Sequence, residues 1–89
     1  MRLKSGFELV DVAGEHLIIP IGENAEKFQG VIALSEAAYY LLNSMKEDVT
    51  KQELVEILMK EYDVDSTKAN EDINDFIKTM IDLGIVIDC

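Results

Sequence analysis

The sequence predicts an α+β fold: a three-stranded antiparallel sheet followed by three helices, arranged like a winged helix-turn-helix module. Three observations carry this. Short segments rich in Val, Ile and Leu, separated by glycine turns, occupy the first 34 residues. From Ser35 onward the apolar residues recur at helical spacing instead. Helix-start signals at Ser35, Thr50 and Asp65 then divide that second part into three. Sheet first and helices after is an α+β order.

The first two strands are read at residues 7–13 (FELVDVA) and 16–21 (HLIIPI). Gly14-Glu15 between them suits a two-residue hairpin turn with glycine in the first central position. That register sets Val12 opposite Leu17 and Val10 opposite Ile19, giving one apolar face. The other face carries Phe7, Leu9 and Ile18 beside Asp11 and His16, and its apolar half points to self-association. Pro20 falls opposite Leu9, where it has no amide to offer, so pairing should stop or bulge there. Residues 22–27 (GENAEK) read as a loop, and the third strand follows at 28–34. Short links make an antiparallel meander the economical topology.

Ser35 is the expected N-cap of the first helix, with Ala37, Ala38, Leu41, Leu42 and Met45 as its apolar stripe. One of Tyr39 and Tyr40 should be buried beside them. Thr50-Lys51-Gln52-Glu53 matches a capping box, and the helix it opens turns Leu54, Ile57, Leu58 and Tyr62 inward. Asp65-Ser66 caps the third helix, which buries Ala69, Ile73, Phe76, Ile77 and Met80 and ends at Gly84. The apolar tail Ile85-Val86-Ile87 should tuck back against the core.

Eighty-nine residues are read as a single domain, 1–89, of ordinary globular composition: 48% hydrophobic and 29% charged. The net charge of −10 excludes whole classes of partner. Phosphate backbones need clustered Lys and Arg, whereas the eight basic residues here are scattered along the chain, so nucleic acid and anionic membranes should be repelled. The longest apolar run outside the helices, residues 17–21 and interrupted by Pro20, is far too short to span a bilayer. The opening residues lack a signal-peptide core, so a cytoplasmic location is expected. Cys89 has no partner in the chain, which leaves neither a disulfide nor a cysteine metal cluster.

No reaction can be assigned. His16 is the only histidine, and its place at the hairpin turn reads as a solvated neighbour rather than a base. Glycine-rich phosphate loops, CxxC and HExxH are all missing. The run from Asp63 to Thr67 is like the start of a calcium loop, but Lys68 stands where glycine is needed and Asn74 where a bidentate glutamate belongs. Asp65-Ser66 is also like an acyl-carrier attachment site, yet carriers are all-helical and this chain opens with strands. The expectation is therefore no catalytic residue, no cofactor and no metal.

Two features point to peptide binding. Val31, Ile32, Ala33 and Leu34 form an apolar strand without charge or proline, and an unguarded strand of that kind invites another chain to pair with it. On the third helix, Asn70, Asn74, Ile77 and Ile81 form a second ladder beside the buried stripe, with Ile81 well off the core centre. If the ladder lies beside the third strand, an extended peptide could add to the strand and pack alternate side chains on the helix. A winged-helix transcription or protein-interaction module is the alternative. It is disfavoured for DNA because Glu71, Asp72, Asp75 and Asp82 face only Lys68 and Lys78 on that helix.

At this point the chain resembles the PqqD family, the small proteins of pyrroloquinoline quinone biosynthesis, related to recognition domains for ribosomally made, post-translationally modified peptides. The resemblance runs from Gly6-Phe7 to Ile85 through Pro20-Ile21-Gly22, the segment from Gly30 to Glu36, Thr50 to Leu54, Tyr62-Asp63-Val64, Asp72-Ile73, Phe76 and Leu83-Gly84-Ile85. Ser35 stands where many relatives carry asparagine and Tyr40 where many carry tryptophan. The resemblance implies a non-catalytic peptide chaperone. It would bind the leader of a precursor peptide and present it to a radical S-adenosylmethionine enzyme. It also implies a leader site at Val31, Ile32, Ala33 and Leu34 and at Asn70, Asn74, Ile77 and Ile81, with Lys78 at the margin.

Overall fold

The structure, a computed structural model, describes residues 1–27 and 30–88. In chain order the elements are β1 (Arg2–Leu3), β2 (Phe7–Val12), β3 (Glu15–Pro20), α1 (Asn24–Lys27), β4 (Ile32–Leu34), α2 (Glu36–Asn43), α3 (Lys51–Glu61), α4 (Ser66–Asp82) and β5 (Val86–Ile87). Strands β2, β3 and β4 form an antiparallel sheet in that spatial order, as the meander predicted. Residues 22–27 hold the single turn α1 rather than a plain loop. The expected third strand shortens to Ile32–Leu34, and Phe28 and Gln29 lie outside the described residues.

The hairpin turn sits one residue earlier than expected. Ala13 (φ 53°) and Gly14 (φ 81°) are its central residues, both left-handed, which is the type I′ arrangement whose twist matches that of the flanking strands. Val12 therefore faces Glu15, Val10 faces Leu17 and Leu9 faces Ile18. Moving a turn by one residue changes every cross-strand partner by two, so each side chain keeps its face. What changes is which face is inside. Phe7 and Ile18 are buried and Leu9 packs against the core, while Val12 is 54% exposed. The expected self-association face is thus the core face, and the outward apolar face is the one bearing Val10, Val12, Leu17 and Ile19.

Pro20 also lands elsewhere. A two-residue hairpin closes on a hydrogen-bonded pair, here Val12 with Glu15, and every second pair down the ladder repeats it. Two steps beyond Glu8 and Ile19, the Ile21 N–H donates to the Gly6 carbonyl at 2.8 Å, in phase with that alternation. Pro20 stands opposite Phe7 in a non-hydrogen-bonded pair, so its missing amide costs the β2–β3 ladder nothing. The gap faces β4 instead. Continued from Ile18 opposite Ile32, the register would set Pro20 against Gly30, and β4 reaches back no further than Ile32.

The helices start where their caps predict. The Ala38 amide donates to Ser35 Oγ at 3.1 Å, and the Lys68 amide donates to Asp65 Oδ1 at 2.8 Å. Thr50 and Glu53 exchange both bonds of the capping box at 3.1 Å. At the end of α4, the Gly84 amide donates to the Ile81 carbonyl and the Ile85 amide to the Met80 carbonyl, both at 2.9 Å, with Gly84 at φ 78°. That paired closure reverses the chain and drives Ile85 into the core. There it joins Ile18, Leu42, Met45, Leu54, Val55 and Ile73, all fully buried. Val55 lies outside the inward stripe that the sequence sets for its helix.

The tail does tuck back, and it does so as a strand. Val86 and Ile87 pair with Leu3 and Arg2 in a two-stranded sheet. The Leu3 amide donates to the Met45 carbonyl at 2.8 Å and the Lys4 amide to the Ile85 carbonyl at 2.8 Å, which ties β1 to the ends of α2 and α4. Two-residue strands carry no alternation to read.

Candidate functional site

Strand order leaves β4 at an edge of the three-stranded sheet. On β3, Glu15, Leu17 and Ile19 direct their backbone groups to β2, so His16 and Ile18 direct theirs to Leu34 and Ile32. By the same alternation the N–H and C=O of Ala33, and of Val31 just before the strand, point away from the sheet. Among the described residues no strand pairs with them. The side chains divide the other way. Ile32 and Leu34 are half-buried against the core, whereas Ala33 is exposed and Val31 is 52% exposed.

The edge is held firmly at its Leu34 end. Ser35 turns the chain into α2, and the Tyr39 ring of that helix stacks on His16, the cross-strand neighbour of Leu34, at 4.5 Å between centroids and 26° between planes. His16 is therefore no solvated turn residue. Its Nδ1 is buried without a hydrogen-bond partner and lies 3.8 Å from Asp11 Oδ2. Sequence alone pairs neither Tyr39 nor His16 with the edge, because that contact depends on the β3–β4 register. Tyr40 is the exposed member of the pair, and hydrogen bonding to the Glu61 carboxylate raises its pKa above the ordinary 10.0.

The α4 ladder is set as helical geometry requires, beside the buried stripe of Ala69, Ile73 and Met80. Asn70 is half-buried, and its Nδ2 donates to the Ser66 carbonyl at 2.8 Å, one turn back on the same helix. Asn74, Ile77 and Lys78 come together around a cavity of about 470 Å³, which Met1, Val49, Thr50, Lys51 and Asp88 also line. No β4 residue lines that cavity. Ile81, one turn on from Ile77, is 37% exposed. In the sequence Thr50 and Lys51 read as a helix start alone, and the place of Val49, Thr50 and Lys51 opposite Ile77 follows from how α3 packs on α4.

Among the described residues no cluster of three His, Cys, Asp or Glu side chains could hold a metal ion. Nor is any helix of the described residues long and apolar enough to cross a membrane. Asp65 and Ser66, considered for calcium and for a prosthetic arm, serve as the cap and first residue of α4. The chemistry on offer at β4 is main-chain hydrogen bonding to an extended chain, with apolar side chains behind it.

This fold is shared with two solved peptide-binding proteins. TbiB1, solved in complex with the TbiA(beta) leader peptide, superposes with a TM-score of 0.76 at 15% identity, covering 99% of this chain and 100% of that one. Lasso peptide synthetase B1, solved with its leader peptide, gives 0.75 at 15% identity over 98% and 96%. Residues 9–86 match the family of coenzyme PQQ synthesis protein D, and the chain belongs to that PqqD family. No curated protein sequence matches it.

Proposed function

We propose that this protein binds the leader region of a ribosomally made precursor peptide and presents it to a radical S-adenosylmethionine enzyme in the cytoplasm, with no catalysis of its own. The open edge of β4 carries this reading. A leader lying antiparallel or parallel to β4 would take hydrogen bonds from the outward main chain of Val31 and Ala33, and the flanking apolar side chains would supply selectivity. Ile32 and Leu34 back that strand, and in this reading Asn70, Asn74, Ile77, Lys78 and Ile81 of α4 would add side-chain contacts to the same guest, from a face whose cavity no β4 residue lines. The product is the quinone cofactor or another modified peptide. Support comes from family membership and from the two neighbours of the same fold, each solved with a leader peptide.

The test is a titration of the isotope-labelled chain with a synthetic leader from a precursor peptide encoded beside it. Backbone amides of residues 31–35 and of α4 should shift together and saturate. Shifts confined to the outward face of Val10, Val12, Leu17 and Ile19 would place the leader elsewhere and overturn the reading.

A further inference from the structure

The opposite edge of the same sheet carries a second surface, and its chemistry is different. The Leu3 to Met45 hydrogen bond sets β1 beside the end of α2. Arg2 and Lys4, two residues apart on an extended backbone, point to one side, and Lys46 follows the carbonyl that anchors Leu3. All three line one cavity of about 520 Å³ between β1 and β2, with Leu9 and Ile87 on its apolar lining and Glu8 as its only carboxylate. Three of the eight basic residues of a chain with net charge −10 thus meet at one place. None of the three forms an ion pair among the described residues, although eighteen acidic residues are available in the chain.

Leu9 adds a directional element. Its backbone groups alternate with those of Glu8 and Val10, which bond to β3, so its N–H and C=O point out from the β2 edge beside the cations. No other strand pairs with that edge among the described residues. Like charges gathered without counterions are costly in the free protein and favour an anionic occupant. A main-chain donor and acceptor next to apolar side chains favour an extended peptide over a compact anion. Nucleic acid is opposed by the net charge outside the cavity.

We propose that the cavity between β1 and β2 is a docking site for an acidic, extended segment of a partner protein, separate from the β4 edge. Leader binding and this docking use opposite edges of one sheet, so each can fail without the other.

The experiment uses the full labelled chain and three probes: an acetylated, amidated hexapeptide alternating Asp and Leu, its Lys-Leu counterpart, and inorganic phosphate. The acidic peptide should shift the amides of residues 2–9 and 46 saturably, and added salt should weaken it. The double variant Arg2→Glu, Lys46→Glu, at two exposed positions, should bind it at least about tenfold more weakly while leaving the rest of the spectrum and any leader response at residues 31–35 unchanged. Equal shifts with the lysine peptide would overturn the proposal. So would saturation of the same amides by phosphate alone, or an acidic peptide that leaves them unmoved.

Discussion

The Ile21 N–H donates to the Gly6 carbonyl at 2.8 Å, and this bond fixes the phase of the whole sheet. It places Ala33 among the residues whose amide faces outward and Leu34 among those whose amide is spent on β3. Proline separates the two. Ala33→Pro removes an outward donor and no ladder bond, so the protein should melt within a few degrees of the parent yet bind leader about tenfold more weakly, the loss expected for one or two net hydrogen bonds. Leu34→Pro breaks the bond to His16 and should lower the melting temperature sharply. Thermal unfolding and calorimetric titration of both variants decide it, and equal leader affinity in Ala33→Pro would remove strand addition at β4.

The β2–β3 turn carries strain that a single substitution can relieve. Ala13 holds φ 53°, a conformation that costs an ordinary L-residue about 1–2 kcal/mol. Asparagine followed by glycine is the pair this turn type prefers, and Gly14 already supplies the second member. Ala13→Asn should therefore stabilise the protein by about 0.5–1 kcal/mol, and Ala13→Val should destabilise it by at least as much. Chemical denaturation with an unchanged slope would show that the folded state, and not the compactness of the unfolded one, is responsible.

Gly6 and Asn24 brace the other end of that hairpin. Asn24 is buried, and its Nδ2 donates to the carbonyls of Gly6 (3.1 Å) and Ser5 (3.3 Å). Gly6 sits at φ 94°, and a Cβ there would collide with the Asn24 amide. Gly6→Ala combines a disfavoured backbone with that collision and should cost about 2–4 kcal/mol. Asn24→Ala forfeits the two bonds and should cost about 1–3 kcal/mol. Against a total stability of about 4–13 kcal/mol for a chain of this length, the first change is severe. Denaturation curves for the two single variants and the double would show non-additivity, since both act on one contact.

Local chemistry makes most of this fold legible. Ser35, Thr50 and Asp65 announce helix starts because their side chains satisfy amides three residues ahead, and Gly84 announces an end because few other residues adopt its φ. The hairpin is legible but its turn reads one residue late, since Ala13-Gly14 and Gly14-Glu15 both put glycine in a central position. Types I′ and II′ both match the twist of the paired strands, so local chemistry does not choose between the two placements. Val10, Val12, Leu17 and Ile19 read as the better apolar face, yet Phe7, Leu9 and Ile18 are inside, because α2 decides which face is covered. The β4 edge is legible as an unguarded strand. The β1–β5 pair is not, because its two-residue strands are held by Met45 and Ile85, far away in sequence.

Tyr40 gives a pH-dependent test of how α2 meets the end of α3. Its hydroxyl hydrogen-bonds to the Glu61 carboxylate, and a negative charge beside a phenol opposes loss of the proton, so its pKa lies above 10.0 in the folded protein. The folded state holds this proton more tightly than the unfolded chain does. The stabilisation is therefore complete below the unfolded pKa and disappears as pH rises through the folded one. Stability measured between pH 6 and about 9 should show no slope from this group, and above about pH 10 the parent should lose stability relative to Tyr40→Phe. In an absorbance titration of the phenolates, Glu61→Gln should bring the Tyr40 step down towards 10.0. A Tyr40 step unmoved by Glu61→Gln would mean that the carboxylate does not hold the phenol in solution.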